Sequence, residues 1–414
     1  MFWLKKMFTT IAVISFVVLV SFVLPPSFLR STYTAPITIR EQSQVASVHK
    51  TMLVSHLMTP EPLRAIYMTA CVASTPSWRE NLKKLIEITE LNAVVIDIKD
   101  YTGVVSFPFL YQDIEEQTNV SIQKGCVVPD MYEFVQQLHE AGIYVIGRIS
   151  VFQDPFYTKL FPELAVKNKN DGKIWTDYKG LSFIDVGARS YWDYIVVLSE
   201  KTYELGFDEI NYDYVRYPSD GNMQSASYIR ATSTSAVGLL QTKAETLKFF
   251  FEYLHDNLKH PSTGSGQVPV LSVDLFGMTT TVEHDMNIGQ VLEFALPYFD
   301  YVSPMVYPSH YPSTWNGFAN PAEHPYEVVK IAMTKGLERE RAWNISNGFF
   351  SIDPNGTTTP VSKLRPWLQD FNLGATYGPD KVRAQIQATY DVGLTSWMLW
   401  SADNRYTKDA LLSE

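Results

Sequence analysis

The chain has 414 residues, 46% hydrophobic and 19% charged, which allows a sizeable core in one large domain or two average ones. A net charge of -10 argues against a protein that grips nucleic-acid phosphates, because such a protein needs a basic face. The two cysteines, Cys71 and Cys126, can build neither a zinc site nor a disulfide framework; one bridge is open to them, but unpaired, buried thiols are the expectation.

Lys5 and Lys6 precede Met7 to Leu24, 18 residues without a charge. A spanning helix needs about 20 apolar residues. With lysines before it and the bulk of the chain after it, residues 1–26 read as an uncleaved signal anchor. The rest of the chain is then extracytoplasmic and attached to the membrane. A cleaved signal peptide and a secreted protein are the alternative, but Pro25, Pro26, Ser27 and Phe28 offer no immediate small-x-small site. Residues 27–61 are polar and read as a linker, leaving 62–414 as the folded part.

Strand-like and helix-like patterns alternate from there. Arg64 to Ala70 is a short strand, and Trp78 to Leu91 carries a helical stripe of Leu82, Leu85, Ile86 and Leu91. Asn92 to Asp100 reads as a buried strand. In Asp130 to Ala141, Met131, Phe134, Val135 and Leu138 share a helix face, and Gly142 stops it. Ile143 to Phe152 is the third strand, carrying Arg148. Gln153 to Gly187 is irregular, holds Asp154, Trp175, Asp177 and Asp185, and is long enough to suggest function. A helix over Arg189 to Leu205 leads into the fourth strand, Phe207 to Pro218.

That fourth stretch, FDEINYDYVRYP, puts Glu209, Asn211 and Asp213 on one face and Ile210, Tyr212 and Tyr214 on the other. A helix is expected over Ser235 to Leu258, a flexible turn over Pro261 to Gln267, and a fifth strand over Val268 to Gly277. A short helix from Asn287 to Leu296 and a sixth strand from Asp300 to Pro308 follow. Pro325 to Leu337 reads as helix, Leu364 to Phe371 as the seventh strand, Asp380 to Val392 as helix and Leu394 to Ser401 as the eighth strand.

Eight nearly continuous apolar strands alternating with helices predict an α/β protein with a (β/α)8, TIM-type barrel. No Gly-rich turn follows the first strand, so a dinucleotide site is unsupported. Polar residues gather at strand C-termini: Asp97, Arg148, Asp213, Asp274, Tyr307, Asp370 and Asp403. Barrel enzymes build their sites on that face.

Five motifs, NAVVIDIKD, FDEINYDYVRYP, DYVSPMVYPSHY, LRPWLQDF and SWMLWSADNRY, occur in that order between about Arg64 and Tyr406. Together they resemble the bacterial "putative glycosyl hydrolase" domain family, related in fold to the α-amylase barrels. The resemblance implies a carbohydrate-active barrel. In α-amylase-like barrels the nucleophile is an aspartate ending strand four, two residues after an arginine; Asp213 matches it, and Asn211 stands in place of the arginine. Their acid is a glutamate of strand five, where this chain has Asp274. Their third carboxylate follows strand seven, where Asp370 is nearest.

Glycoside hydrolysis needs two carboxylates flanking the bond, about 5–5.5 Å apart for retention and about 6.5–9.5 Å for inversion. Asp213 is assigned as nucleophile or base and Asp274 as acid; the plainer alternative is that either pairs with Arg148 or Arg216 to fill the barrel top. Asp97, Lys99 and Asp100 are expected to position substrate or to neutralise one another. Glu209 is expected to be a buried ion-pair partner. Arg148, Asp185, Asn211, Arg216, Tyr307, His310, Asp370 and Asn404 complete the substrate-binding set. Trp175, Trp367, Trp397 and Trp400 are stacking candidates, with at least one of the last pair in the core.

No HxH or HExxH spacing occurs, and no GxSxG elbow, so neither a metal nor a cofactor is expected. Calcium on loop carboxylates such as Asp154, Asp171 or Asp177 stays open. The expected partners are a cell-surface or envelope polysaccharide and, through the anchor, the membrane. A barrel that binds glycan without cleaving it is the second reading.

Overall fold

Eight strands pair in chain order and close on themselves. They are β1 (Arg64–Met68), β2 (Ala93–Lys99), β3 (Tyr144–Ser150), β4 (Glu209–Asp213), β5 (Val270–Phe276), β6 (Tyr301–Val306), β7 (Trp367–Gln369) and β8 (Trp397–Trp400). Every neighbouring pair is parallel, and Arg64 to Ile66 pair with Trp397 to Leu399 to shut the barrel. This computed structural model describes residues 54–108, 125–228, 242–259, 268–349 and 362–413. The anchor run, most of the linker, residues 235–241 of the expected helix and the whole Pro261–Gln267 turn lie outside them. Among the described residues no helix is long and apolar enough to cross a membrane.

Among the described residues, the helices that pack around the barrel are α1 (Pro76–Glu87), α2 (Met131–Glu140), α3 (Arg189–Glu204), α4 (Lys243–Leu258), α5 (Leu292–Ala295), α6 (Pro325–Ser346) and α7 (Pro379–Asp391), and two short helical turns, Ala70–Ala73 and Pro155–Leu160, lie in the segments after the first and third strands. α4 opens on a capping box, in which Thr242 and Glu245 satisfy each other's backbone N–H. α5 is shorter than its pattern, since Gly289 sits at a φ of +87°, outside helical space. α6 runs well past Leu337. It passes Gly336, where a Cβ would meet Leu364 Cδ1 at 3.0 Å, so a bare backbone is what lets this helix lie close. β7 is shorter than its apolar run because Pro366 has no N–H to give the ladder.

The strands divide two cores. Outward residues such as Ile66, Val94, Ile210, Tyr212 and Leu399 pack under the helices. Inward residues such as Ala65, Tyr67, Val95, Ile146, Trp367 and Met398 fill the lumen. The alternation on β4 therefore holds: Ile210 and Tyr212 go out, leaving Glu209, Asn211 and Asp213 on the lumen side. At the floor Glu209 pairs with Arg365, both inaccessible to solvent, as expected for a buried ion-pair partner. Residues 54–61 also reach this end: Leu57 N–H donates to Asp208 Oδ1 at 2.7 Å, and Thr59 Oγ1 lies 3.0 Å from the Tyr144 hydroxyl.

Two expectations are corrected here. Cys71 and Cys126 are not free, buried thiols; they form a disulfide with Cα atoms 4.8 Å apart. It joins the segment after β1 to the segment preceding α2, loops whose approach depends on barrel closure. Trp175 is not a stacking platform. The long segment after β3 has its own small core of Val166, Trp175, Phe183 and Ala226, and the Trp175 ring N–H donates to the Asn222 carbonyl at 3.0 Å. A two-residue ribbon, Lys167–Asn168 against Ala226–Ser227, edges that core.

Candidate active site

The site starts at the last residue of β4. Tyr212 pairs with Val273 of β5, so Asp213 and Asp274 are the next residues along two adjacent strands. The chain turns sharply after Asp213, because Tyr214 takes a left-handed φ of 52°. That conformation is costly for a bulky residue and persists only where surroundings hold it. Here Phe152 N–H donates to the Tyr214 carbonyl at 3.2 Å, and Tyr214 N–H donates to Asp213 Oδ1 at 2.5 Å. The turn thereby fixes one oxygen of the carboxylate.

Arg148 of β3 fixes the other oxygen and forms the centre of the constellation. One terminal nitrogen donates to Asp213 Oδ2, the other to Asp97 Oδ1 at 2.6 Å, and Nε lies 3.9 Å from Asp274 Oδ2. Burial works against the charge of Arg148, but Asp213 and Asp97 together hold its pKa well above the ordinary value. Tyr67 donates to the remaining oxygen of Asp97, whose carboxyl burial pushes up to about 6. The Arg148 guanidinium also lies 4.9 Å over the Trp400 ring and 5.5 Å over Tyr67.

Asp274 has a different environment. Its Oδ1 accepts from Asn211 Nδ2 at 2.9 Å and from Trp367 Nε1 at 2.8 Å. Burial first, and then the charge of Asp213, push its pKa up to about 8. Arg148 and the two donors oppose that shift only in part. With Oδ1 saturated by donors, a retained proton belongs on Oδ2. Two carboxylates thus share one guanidinium, and one of them, Asp274, is held in its acid form by burial and its neighbour's charge. Contact with the same guanidinium keeps them within the roughly 9.5 Å that two-carboxylate hydrolysis tolerates.

Both carboxylates line a cavity of about 360 Å³ together with Arg148, Arg216, Tyr307, His310 and Trp400. Asp97, Asn211 and Trp367 stand directly behind it, bonded to Arg148 and Asp274. Asp370 lines an adjoining cavity of about 660 Å³ that shares His310 and Trp400 with the first. Its carboxylate is already occupied by the Thr407 N–H and hydroxyl, at 2.8 and 2.6 Å. The two tryptophans of β8 divide as expected: Trp397 is inaccessible and bonds Tyr390, while Trp400 stacks on Tyr67 at 3.9 Å and faces the cavity.

Four further expected site residues neither line these cavities nor bond the groups behind them. Lys99 is turned away by a bulge between Asp97 and Lys99 in β2, which breaks the two-residue period. It ion-pairs with Asp154 at 2.8 Å and bonds Tyr191 instead. Asp100 holds a local turn through Thr102. Asp185 accepts from Gly187 N–H at 3.0 Å on the long segment after β3. Asn404, at a φ of 54°, ties the end of β8 to Thr69 and Tyr67. Arg216 does line the cavity, but it is Arg148, not Arg216, that ion-pairs with Asp213. Sequence reasoning missed Tyr67, Tyr214, Phe276 and Met305. Tyr67 lies near the C-terminal end of β1, so the strand-end rule that found the others applies to it as well.

The bifunctional purine biosynthesis protein PurH of Clostridium botulinum is 29% identical over 124 residues, 30% of this chain and 24% of that protein. The chain thus spans about a quarter of the length of the curated relatives it matches. A hypothetical protein from Ruminiclostridium thermocellum is 28% identical, with a TM-score of 0.41, over 50% of this chain and 96% of its own. The PgaB (BpsB) glycoside hydrolase domain from Bordetella bronchiseptica superposes with a TM-score of 0.54 at 14% identity, over 83% of this chain and 94% of its own, a likeness of fold. The family described as "Putative glycosyl hydrolase domain" matches residues 65–406, and the chain belongs to that family.

Proposed function

We propose that this protein hydrolyses glycosidic bonds of a cell-surface or envelope polysaccharide, with Asp274 as general acid and Asp213 as base or nucleophile. The observation that carries the proposal is the pair itself: two carboxylates at adjacent strand ends, on one guanidinium, in one cavity, with burial and Asp213 keeping Asp274 protonated near neutral pH. Asp274 Oδ2–H would protonate the leaving oxygen, and Asp213 would attack the anomeric carbon or activate water. Trp400 and Tyr307 supply faces on which a sugar ring can stack.

The body is proposed to lie outside the cytoplasm, held by the run from Met7 to Leu24. The Cys71–Cys126 disulfide supports an oxidising compartment. Cell fractionation with an antibody to the C-terminal part tests this; recovery in the cytosol alone would overturn it.

One observation favours the binding-only reading: both oxygens of Asp213 already accept hydrogen bonds. The full-length chain incubated with envelope glycans, beside Asp213→Asn and Asp274→Asn, separates the two. Hydrolysis predicts new reducing ends with the parent and almost none with either variant. Equal product from all three removes the pair from the mechanism, and binding without product from the parent leaves a lectin-like barrel.

A further inference from the structure

Arg216, half-buried, differs from the fully buried cations at the top of the barrel. Arg148 faces Asp97 at 2.6 Å, and Lys99 faces Asp154 at 2.8 Å. Among the described residues no carboxylate lies within ion-pair distance of Arg216. Its guanidinium is held between aromatic faces, 5.0 Å from the centroids of Tyr214 and Phe276 and 5.8 Å from that of Phe183, and it donates to the Tyr217 carbonyl at 3.1 Å. The nearby acids act on it only through space, each with at least one oxygen bound elsewhere. Asp213 is bound by Arg148 and Tyr214 N–H. Asp177 Oδ1 accepts from the backbone of Lys179 and Leu181, and Asp220 Oδ1 from Gly221.

The cation also has a particular place. Arg216 and Tyr214 form the shared wall between the cavity of Asp213 and Asp274 and a second cavity of about 380 Å³, which Lys179 and Gln153 line together with the carboxylates Asp177 and Asp220. A rigid, planar guanidinium that is partly desolvated and lacks a carboxylate is matched by a planar or tetrahedral oxyanion. Burial pulls its pKa down, and the nearby Tyr214, Asp213, Asp177 and Asp220 offset that only in part.

We infer that Arg216 reads an acidic sugar: a ring bearing a carboxylate or phosphate group, seated in the cavity next to the one that holds Asp213 and Asp274. The inference rests on the proposed glycan cleft and adds its substrate class. The guanidinium is already fixed by stacking, so the anion meets a donor fork that loses little freedom on binding.

Binding is measured calorimetrically on the full-length chain carrying Asp274→Asn, which separates affinity from hydrolysis. The probes are hexuronic-acid oligosaccharides, the same oligosaccharides with their carboxyls reduced to alcohols, and neutral oligosaccharides carrying a phosphate monoester. At least one anionic probe should bind roughly ten- to hundredfold tighter than its neutral counterpart, the range of one charge-assisted pair. The arm that shows the preference identifies the oxyanion. Adding Arg216→Gln should abolish the preference, whereas Arg216→Lys should retain part of it, with melting temperatures confirming that both variants fold. Equal binding of anionic and neutral probes, no binding of any probe, or a preference that survives Arg216→Gln overturns the inference. Cleavage of neutral and acidic glycans alike by the parent protein would leave the hydrolase reading standing while this one falls; tight acid-selective binding without cleavage would do the reverse.

Discussion

Asp274 shows how one side chain is prepared for a task that its neighbour cannot share. It is buried against the charge of Asp213, while Asn211 and Trp367 occupy one oxygen and leave the other for the proton. Removing either carboxylate should lower kcat/KM by roughly 10²–10⁴, the usual worth of acid–base catalysis, with the circular dichroism spectrum unchanged. Because the acid form is the active one, kcat/KM should fall as pH rises through about 8. Trp367→Phe deletes a donor that favours the carboxylate, so this basic limb should move to higher pH. An unmoved limb would separate Asp274 from the titration. The same shift has a stability consequence. The unfolded chain releases this proton near about pH 3.9, and the fold keeps it to about 8. Between those values the unfolded state binds fewer protons, so stability falls as pH rises through the window. Asp274→Asn should therefore melt higher than the parent at pH 8 and equally near pH 3, which melting curves across pH would show.

At the scale of elements, a strand delivers different chemistry at its two ends. β4 begins with Glu209 at the barrel floor and ends with Asp213 at the mouth, and the same alternation that points both inward sends Ile210 and Tyr212 to the helices. The floor pair, Glu209 with Arg365, is fully enclosed. Glu209→Leu should destabilise by roughly 3–5 kcal/mol, because it strands a buried guanidinium. Glu209→Leu with Arg365→Met should recover most of that loss in urea titrations; a double variant no better than the single would show that the pair matters by packing alone. β2 is the counter-example to simple alternation. Its bulge sends Lys99 to Asp154 on the outer side, so Asp97 and Lys99, two positions apart, end in different environments.

For the whole molecule, the disulfide ties the segment after β1 to the one before α2, closing a sequence separation of 55 residues. Cross-links over loops of this size typically contribute about 2–4 kcal/mol. Cys71→Ser with Cys126→Ser should lower the melting temperature, and dithiothreitol should lower that of the parent but not of the double variant. The barrel, the order of its strands and the strand-end placement of Asp213, Asp274 and Arg148 were legible in the chain by itself, because periodicity and apolar run length are local properties. The role of Glu209 was legible for the same reason, as an acid two steps deeper on the inward face. Contacts across the closed barrel were not legible. That Arg148 holds Asp213, that Tyr67 backs Asp97, that Cys71 meets Cys126 and that no carboxylate of the described residues ion-pairs with Arg216 all depend on which strand ends and loops become neighbours. Closure, one bulge and a left-handed turn at Tyr214 decide that, and each acts between residues that no sequence spacing connects.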